Sequence, residues 1–229
     1  MSSILPSRIF PPAESAPPDG PLAVGGRLDP DWLLDAYSHG IFPWPSTDGY
    51  LCWWSPDPRA VLEFDELRVS RRLARTCRSG PFEVTCDRDF AGVMRGCAEA
   101  QDRLESTWLT PAMQRAYLKL HKLGHAHSIE VWHSGELAGG TYGIAIGGLF
   151  AAESMFYYVR DASKVALVRL VQHLSSRDYQ LLDIQQLTPH TASLGACEIP
   201  RSVYLKRLSA AISATATFGS GLSAYCSDR

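Results

Sequence analysis

The chain has 229 residues, 45% of them hydrophobic, which is enough material for a substantial buried core. Its formal net charge of −2 excludes a globally basic protein, so a nucleic acid could be bound only through a local cluster of Lys and Arg. The six cysteines form no Cys-x-x-Cys pair, and no apolar run approaches the ~20 residues that span a bilayer. Residues 1–9 lack the apolar run of a secretory signal, so we expect a cytoplasmic protein with reduced thiols.

Residues 1–60 predict a small N-terminal domain. Prolines concentrated between residues 6 and 21 indicate an extended arm. A helix is expected to begin after Asp29, a favourable N-cap that is followed by Pro30, and to end at Gly40. Two further segments, dense in aromatic residues and prolines, are predicted to be loops: residues 40–45 and 52–59.

Residues 61–229 predict a second, larger domain in which helices and strands alternate. The helices are predicted at residues 69–78, 89–99, 110–124, 161–174 and 200–211, with Thr110 and Asp161 as N-caps. The strands are predicted at residues 82–85, 127–132, 137–142, 144–151 and 179–185. Ser134-Gly135 is typical of a hairpin turn, and the chain after residue 211 is expected to be a loose tail. Hairpins combined with helices indicate an α+β, or mixed α/β, fold.

Asp183 and Gln185 are the first candidates for chemistry. Alternate residues of a strand point to the same side, so these two project together while Ile184 turns toward the core. A carboxylate beside an amide can hold a nucleophilic amine and accept its proton. Polar strand ends that are satisfied by local hydrogen bonds are common, however, and the two residues alone favour that structural interpretation.

Two other groups of titratable side chains allow a functional or a structural interpretation. Glu153 follows an apolar strand and could bind a cation or simply face solvent; the residues alone favour the structural interpretation. His125 and His127 would share one face of a strand, but a zinc site needs further ligands at a suitable spacing. We therefore expect these histidines to be structural, and we expect no metal site.

A run of arginines falls on the helix predicted at residues 69–78. The arginines that share one side of this helix are spaced by three or four residues: Arg68, Arg71, Arg75 and Arg78. Arg72 lies beside them, and no acidic residue interrupts the run. A phosphate-binding face and a merely solvated face both remain open.

Tryptophans stand in segments with no helical periodicity: Trp44, Trp53, Trp54 and Trp108. Tryptophans in such segments either fill gaps between domains or form platforms on which nucleobases stack, at ~1–3 kcal/mol per base. The residues alone do not decide between these interpretations.

Eight segments, in order over roughly residues 22–205, carry a family resemblance. In the first half they are Gly40-Ile-Phe-Pro-Trp44, Trp53-Trp-Ser-Pro-Asp-Pro-Arg-Ala60, Ser106-Thr-Trp-Leu-Thr110 and Leu123-Gly-His-Ala-His-Ser-Ile-Glu-Val-Trp132. In the second half they are Leu137-Ala-Gly-Gly-Thr-Tyr-Gly143, Glu153-Ser-Met-Phe156, Ala162-Ser-Lys164 and His190-Thr-Ala-Ser-Leu-Gly-Ala-Cys-Glu-Ile-Pro-Arg201. With these segments the chain resembles the leucyl/phenylalanyl-tRNA–protein transferases of the bacterial N-end rule pathway.

The resemblance implies a fold and a set of site residues. The implied fold is a small N-terminal domain followed by an acetyltransferase-like (GNAT-related) domain. Asp183 and Gln185 match the family's catalytic pair, and Glu153 matches the acid that binds the acceptor peptide. The residues implied around the terminal adenosine of the tRNA are Trp44 and Trp108, and those implied at its phosphates are Arg71, Arg75 and Arg78. The residues implied to line the amino-acid pocket are Thr141, Phe150, Leu167, Leu170 and Leu182.

The resemblance also implies an activity and its partners. Leucine or phenylalanine, and more weakly methionine, is expected to pass from leucyl-tRNA or phenylalanyl-tRNA to the N-terminal α-amine of proteins that begin with Arg or Lys. The aminoacyl ester is already activated, so neither ATP nor a cofactor is expected, and the family precedent favours a monomer. Two positions depart from the family pattern, because Arg27 replaces an acidic residue and Thr141 stands where methionine is frequent.

Two other functions are alternatives to this one. An acyl-CoA N-acetyltransferase needs a glycine-rich turn to hold pyrophosphate, and the corresponding segment, Val159-Arg-Asp-Ala-Ser-Lys164, has no glycine. A non-catalytic RNA-binding module would use the arginines and tryptophans. It would leave the Asp183/Gln185 pair and the apolar pocket without a purpose.

Overall fold

The computed structural model describes residues 5–17, 19–99 and 107–222. Within these ranges the chain forms one sheet of three strands and one of seven, with helices packed against them. This arrangement confirms the predicted α+β, or mixed α/β, fold. Ser106, which belongs to one of the segments quoted above, and the last seven residues of the predicted tail lie outside the described residues.

The N-terminal part contains a helix and the three-stranded sheet. Its helix, α1 (Pro30–Ser38), is capped as predicted, because Asp29 Oδ1 accepts a hydrogen bond from the backbone N–H of Trp32 at 3.1 Å. The strands β1 (Ala23–Val24), β2 (Phe42–Pro45) and β3 (Leu51–Trp54) pair in the order β1-β3-β2.

The prediction of loops at residues 40–45 and 52–59 was wrong over most of their length. Residues 42–45 and 51–54 pair as an antiparallel hairpin, with Trp44 opposite Cys52. Proline is tolerated in β2 because this strand lies at the edge of the sheet, where a missing backbone N–H breaks no ladder. The aromatic residues favour strand at the same positions.

The seven-stranded sheet has the order β10-β4-β9-β8-β7-β6-β5. Its strands are β4 (Arg59–Val61), β5 (Phe82–Cys86), β6 (Ala126–His133), β7 (Glu136–Ile146), β8 (Leu149–Tyr157), β9 (Leu181–Gln185) and β10 (Cys197–Ile199). Strands β8 and β9 run parallel, and the other neighbouring pairs are antiparallel. Ser134 and Gly135 join β6 to β7 with φ of 53° and 82°, as predicted for a hairpin. The domain boundary near residue 60 remains a prediction.

The remaining helices, with one exception, agree with the predictions to within a few residues. They are α2 (Arg71–Ser79), α3 (Phe90–Glu99), α4 (Pro111–Lys122), α5 (Ala162–Ser175), α6 (Pro189–Ser193) and α7 (Arg201–Ile212). Helix α6 and strand β10 were not predicted. None of the helices in the described ranges is long and apolar enough to cross a membrane.

Two predictions for the second half of the chain were wrong. Residues 144–151 are not one strand, because a turn at Gly147, whose φ is 54°, divides them between β7 and β8. Asp161 precedes α5 but makes no capping hydrogen bond; its backbone is left-handed (φ 70°) and its carboxylate binds Arg72. An aspartate before a helix therefore served here as an ion-pair partner rather than as a cap.

Apolar clusters on the two sides of the seven-stranded sheet form the core. Helices α1, α3 and α4 contribute to one cluster, and α2 and α5 contribute to the other. The second cluster also includes Phe218, which is 3% exposed, so the segment after α7 is anchored where a loose tail was expected.

Candidate active site

Asp183, near the end of β9, is enclosed by hydrogen-bond donors. Its carboxylate forms a bidentate ion pair with Arg59, from Nε to Oδ1 at 2.9 Å and from Nη2 to Oδ2 at 2.6 Å. The hydroxyl of Tyr204 donates to Oδ2 at 2.8 Å. Both members of the ion pair are 1% exposed, so neither charge is screened by solvent. A carboxylate has about four lone-pair sites, and a fourth donor completes the set here.

The fourth donor is the backbone N–H of Gln185, at 2.9 Å from Asp183 Oδ1. The backbone of Gln185 has φ of 64°, a left-handed conformation that is uncommon for residues other than glycine. Local hydrogen bonding from a neighbouring carboxylate is one way to stabilise such a conformation. The carboxylate of Asp183 therefore binds the backbone of Gln185. This contact fixes the direction in which the Gln185 side chain leaves the strand.

The Gln185 side chain points to Glu153 on β8. Gln185 Nε2 donates to Glu153 Oε1 at 2.6 Å. Its other side-chain atom, Oε1, has no hydrogen-bond partner among the residues that the structure describes. A hydrogen-bond acceptor is thus held at the site, while the amide group is anchored at its opposite end.

Glu153 is mostly buried and lies within β8 rather than after it, contrary to its predicted position at a strand end. Its Oε2 accepts from the Tyr117 hydroxyl at 2.9 Å, and the Tyr37 hydroxyl lies 2.8 Å from that of Tyr117. Because Tyr117 has one hydroxyl proton and directs it to Glu153, Tyr37 is the donor to Tyr117. Burial raises the pKa of Glu153 to about 7, although the nearby hydroxyls of Tyr37 and Tyr117 act to lower it.

Arg59 links the N-terminal part of the chain to this network. Its Nη1 donates to the backbone carbonyl of Gly40 at 3.1 Å, and its guanidinium lies 4.8 Å from the ring centre of Phe42 and 4.6 Å from that of Tyr204. Burial, the largest single influence, lowers the pKa of this guanidinium, but the charge and hydrogen bonds of Asp183, together with Tyr204 and Glu153, hold the pKa above its ordinary value. Arg59 therefore stays charged and orders several groups at once.

Four members of the network were not predicted from the sequence: Arg59, Tyr204, Tyr37 and Tyr117. Arg59 lies within one of the segments that carry the family resemblance, and this was the available signal. The sequence carries no such signal for the three tyrosines, because they lie on α1, α4 and α7 at positions whose spacing is typical of ordinary core residues.

The structure brings Trp44 and Trp108 together. Their rings are stacked, with centres 4.6 Å apart and planes at 19°. Trp44 is 37% exposed and Trp108 is partly buried. Since the rings already contact each other, a base could stack on the outer face of one of them but not between them. Trp53, by contrast, is fully buried, and its indole N–H donates to the Gly25 carbonyl at 2.8 Å.

The predicted arginine face lies on α2. Arg71, Arg75 and Arg78 are exposed and form no ion pair with any acid in the described ranges. Arg72 differs from them because it is bound to Asp161. Among the described residues, helix α2 therefore presents three positive charges without an acidic partner, and no contact in this part of the chain joins them to the Asp183 network.

The five expected pocket residues are all buried. Phe150, Leu167, Leu170 and Leu182 belong to the cluster between α5 and the sheet, and Thr141 on β7 donates to the Ser154 carbonyl at 2.9 Å. None of the five is more than 2% exposed, so solvent does not reach them. The structure thus places four of them in one apolar group.

Of the two histidines that the sequence singled out, His127 is held by polar contacts of its ring. His127 Nδ1 lies 2.7 Å from Asp87 Oδ2, and its Nε2 lies 3.2 Å from the Gly124 carbonyl. Across the described ranges, no group of three or more His, Cys, Asp or Glu side chains is arranged to hold a metal ion.

Two family models match the chain. The model for the leucyl/phenylalanyl-tRNA protein transferase N-terminal domain matches residues 26–57, and the model for leucyl/phenylalanyl-tRNA protein transferase matches residues 61–209. The second alone covers more than half of the chain. This chain belongs to the leucyl/phenylalanyl-tRNA–protein transferase family. The resemblance seen in the sequence, and with it membership in a family of aminoacyltransferases, is confirmed.

Curated relatives in this family align with most of the chain. The leucyl/phenylalanyl-tRNA–protein transferase of Chromohalobacter salexigens is 52% identical over 207 residues, which are 90% of this chain and 81% of the relative. That of Aromatoleum aromaticum is 53% identical over 195 residues, 84% of this chain and 82% of the relative. That of Anaeromyxobacter sp. is 52% identical over 204 residues, which are 89% of this chain and 87% of the relative.

Solved structures show a weaker likeness. A ribosomal-protein-alanine N-acetyltransferase from Brucella melitensis biovar Abortus 2308 has 15% identity and a TM-score of 0.36, over 47% of this chain and 81% of that one. A GCN5-related N-acetyltransferase from Kribbella flavida has 11% identity and a TM-score of 0.38, over 75% and 61%. TM-scores this low do not support any conclusion about the site of this protein.

Proposed function

We propose that this chain transfers leucine or phenylalanine, and more weakly methionine, from leucyl-tRNA or phenylalanyl-tRNA to the N-terminal α-amine of proteins that begin with Arg or Lys. Family membership supports the reaction class. The observation that carries the proposal for this chain is the Gln185 amide, anchored through its backbone by Asp183 and through Nε2 by Glu153. Its Oε1 is left to accept a hydrogen bond from an incoming amine.

The reaction needs positioning more than activation. The amine nitrogen bonds to the carbonyl carbon of the aminoacyl ester, and the bond from that carbon to the 3′ oxygen of the terminal ribose breaks. The amine loses one proton and the 3′ oxygen gains one. An α-amine has a pKa of about 7.7–8.0, so a useful fraction is neutral at cellular pH, and alignment alone can contribute ~7–11 kcal/mol.

Asp183 acts in this proposal through Gln185. Its carboxylate already accepts hydrogen bonds from Arg59, Tyr204 and the Gln185 backbone, so it has no lone-pair site left for the amine proton. These contacts favour a role for Asp183 in orienting Gln185 over removal of the amine proton.

Glu153 is proposed to bind the cationic side chain of the acceptor's first residue. Burial raises its pKa to about 7, and an Arg or Lys side chain nearby would favour the ionised form and so lower that pKa. Binding of the acceptor and ionisation of Glu153 are thus expected to support each other. An acceptor with an acidic first residue would have the opposite effect.

The tRNA is proposed to contact two regions. The terminal adenosine would stack on the outer face of the Trp44/Trp108 pair, and phosphates would meet Arg71, Arg75 and Arg78 on α2. The amino-acid side chain would enter the apolar group of Thr141, Phe150, Leu167, Leu170 and Leu182. Discrimination by such a pocket is ~1–3 kcal/mol per methylene, consistent with leakage to methionine. We further propose that the protein acts as a cytoplasmic monomer that tags proteins for degradation by the N-end rule.

Transfer of radiolabelled leucine from leucyl-tRNA to short peptides tests the proposal. Peptides beginning with Arg, Asp and Ala are compared at equal concentration. Incorporation into the Arg peptide alone is expected. Incorporation into the Asp peptide instead would keep the tRNA donor but overturn the acceptor assignment and the role of Glu153. No incorporation into any peptide, with tRNA still bound, would overturn the proposed activity.

A further inference from the structure

The segment after α7 is fixed to the end of α5. It lies beyond residue 209, where the match to the family model ends. The backbone carbonyl of Phe218 accepts a hydrogen bond from His173 Nε2 at 2.8 Å, and Arg177 Nη2 donates to the Gly221 carbonyl at 3.3 Å. These two attachments hold the segment against the second apolar cluster.

Phe218 inserts its ring into that cluster. The ring stacks on His127 with centres 4.2 Å apart and planes at 11°, and it meets His173 edge-on at 4.5 Å. It also lies 5.8 Å from the ring of Phe150, with 25° between the planes. Phe150 belongs to the proposed amino-acid pocket, so Phe218 contacts that pocket through Phe150.

Phe150 has little room to move between its neighbours. A Cβ atom placed on Gly143 of β7 would lie 2.4 Å from Phe150 Cε1, so the ring presses directly against the backbone of that strand. Tyr179 meets the ring edge-on at 6.4 Å. With β7 on one side and Phe218 on another, the position of Phe150 depends on the size of the side chain at residue 218.

We propose that Phe218 determines specificity, because it supports Phe150 and so limits the size of the amino-acid side chain that the pocket accepts. This inference rests on the proposed function, since it assumes that Phe150 and its partners hold the transferred side chain. A smaller residue at position 218 leaves space into which the Phe150 ring can shift. The pocket then accepts apolar side chains larger than phenylalanine, such as that of tryptophan.

The test compares donors of different size in three variants. Phe218→Leu keeps an apolar side chain and a folded core, and Phe218→Ala makes the larger space. Thr217→Ala changes the exposed neighbour and serves as the control. Transfer is measured from tRNA charged with leucine, phenylalanine or tryptophan. Binding is measured with adenosine analogues that carry the same amino acids through a stable 3′-amide.

Both Phe218 variants are expected to raise the tryptophan-to-leucine ratio by at least about tenfold, with Phe218→Ala above Phe218→Leu, in binding and in transfer. Thr217→Ala is expected to keep the parent ratio. Equal losses for all three amino acids would show a purely structural role and overturn the inference. If the parent protein transfers no amino acid but the Phe218 variants show a changed tryptophan-to-leucine binding ratio, the proposed function is overturned and the inference is supported. If the parent protein transfers leucine but the ratios in the Phe218 variants are unchanged, the proposed function is supported and the inference is overturned.

Discussion

The guanidinium of Arg59 holds both carboxylate oxygens of Asp183 although the two residues are 124 positions apart in the chain. Arg59 comes from β4 and also binds the Gly40 carbonyl that follows α1, whereas Asp183 lies on β9. The N-terminal part of the chain is thereby connected to the residue that fixes the Gln185 backbone. Damage to this ion pair is expected to affect folding and transfer together.

Replacement of Arg59 by Met is expected to destabilise the protein by ~3–5 kcal/mol, because Asp183 is left as an unpaired buried charge. Urea unfolding measures the loss. Arg207→Met is the matched control, since Arg207 also forms a bidentate ion pair, with Glu63, but both side chains are about one-third exposed. The control should lose at most ~1 kcal/mol. Equal losses in the two variants would contradict the special importance of the buried pair.

The stability of the protein is expected to depend on pH through Glu153. Its pKa is raised from 4.5 to about 7 by burial, so the folded state keeps this proton where the unfolded state has lost it. The resulting stabilisation is fully present below pH ~4.5 and is lost as the pH rises to ~7, by roughly 3 kcal/mol at most. Glu153→Gln should remove this dependence.

Unfolding of the parent and of Glu153→Gln by urea at pH 5 and pH 8 provides the measurement. The parent should lose more stability than the variant between these pH values. Transfer to an Arg peptide should fall in the parent below pH ~7, because protonated Glu153 carries no charge for the cation. Parallel pH dependences in the two proteins would show that Glu153 does not titrate in this range.

The arginines of α2 are expected to supply phosphate contacts. Replacement of Arg71, Arg75 and Arg78 together by Ala should weaken tRNA binding and reduce the slope of log K against log salt by about 1 per lost contact. A triple alanine variant of Arg115, Lys119 and Lys122 is a matched control, because these residues are exposed on α4 at the same spacing. A similar loss in the control would indicate a general effect of charge instead of a phosphate-binding helix.

Trp44 is expected to bind the terminal adenosine. Trp44→Ala should weaken binding of charged tRNA by ~1–3 kcal/mol, the usual contribution of one stacked base. Trp44→Phe, which keeps an aromatic face, should recover part of the loss. Tyr50→Ala, in the turn beside the same hairpin and 65% exposed, should have no effect. Full affinity in Trp44→Ala would exclude this platform.

The sequence predicted the elements whose signals are local. Asp29 and Thr110 predicted the starts of α1 and α4 correctly, because capping depends on a few adjacent residues. The hairpin of β2 and β3 was missed because strand pairing at an edge, and not composition, decides whether a proline-rich segment is extended. The role of Phe218 was missed for a similar reason, since its burial depends on His127 and Phe150 far away in the chain.

The candidate site was only partly predictable for the same physical reason. Period-two alternation placed Asp183 and Gln185 on one face of a strand, but it could not foresee the left-handed backbone at Gln185. Nor could any local pattern show that Arg59 and Tyr204 fill the lone pairs of Asp183. Those contacts join β4, β9 and α7, and they exist only once the sheet has formed.

Gln185 is the group proposed to position the attacking amine. The most direct test of this role is the single-turnover rate of leucine transfer to an Arg peptide, at saturating leucyl-tRNA, in Gln185→Ala. Gln186→Ala, at the exposed neighbouring glutamine, is the control. We expect a loss of about 100-fold or more in Gln185→Ala with unchanged tRNA affinity, and a parent-like rate in the control. A parent-like rate in Gln185→Ala would contradict the proposed role of Gln185.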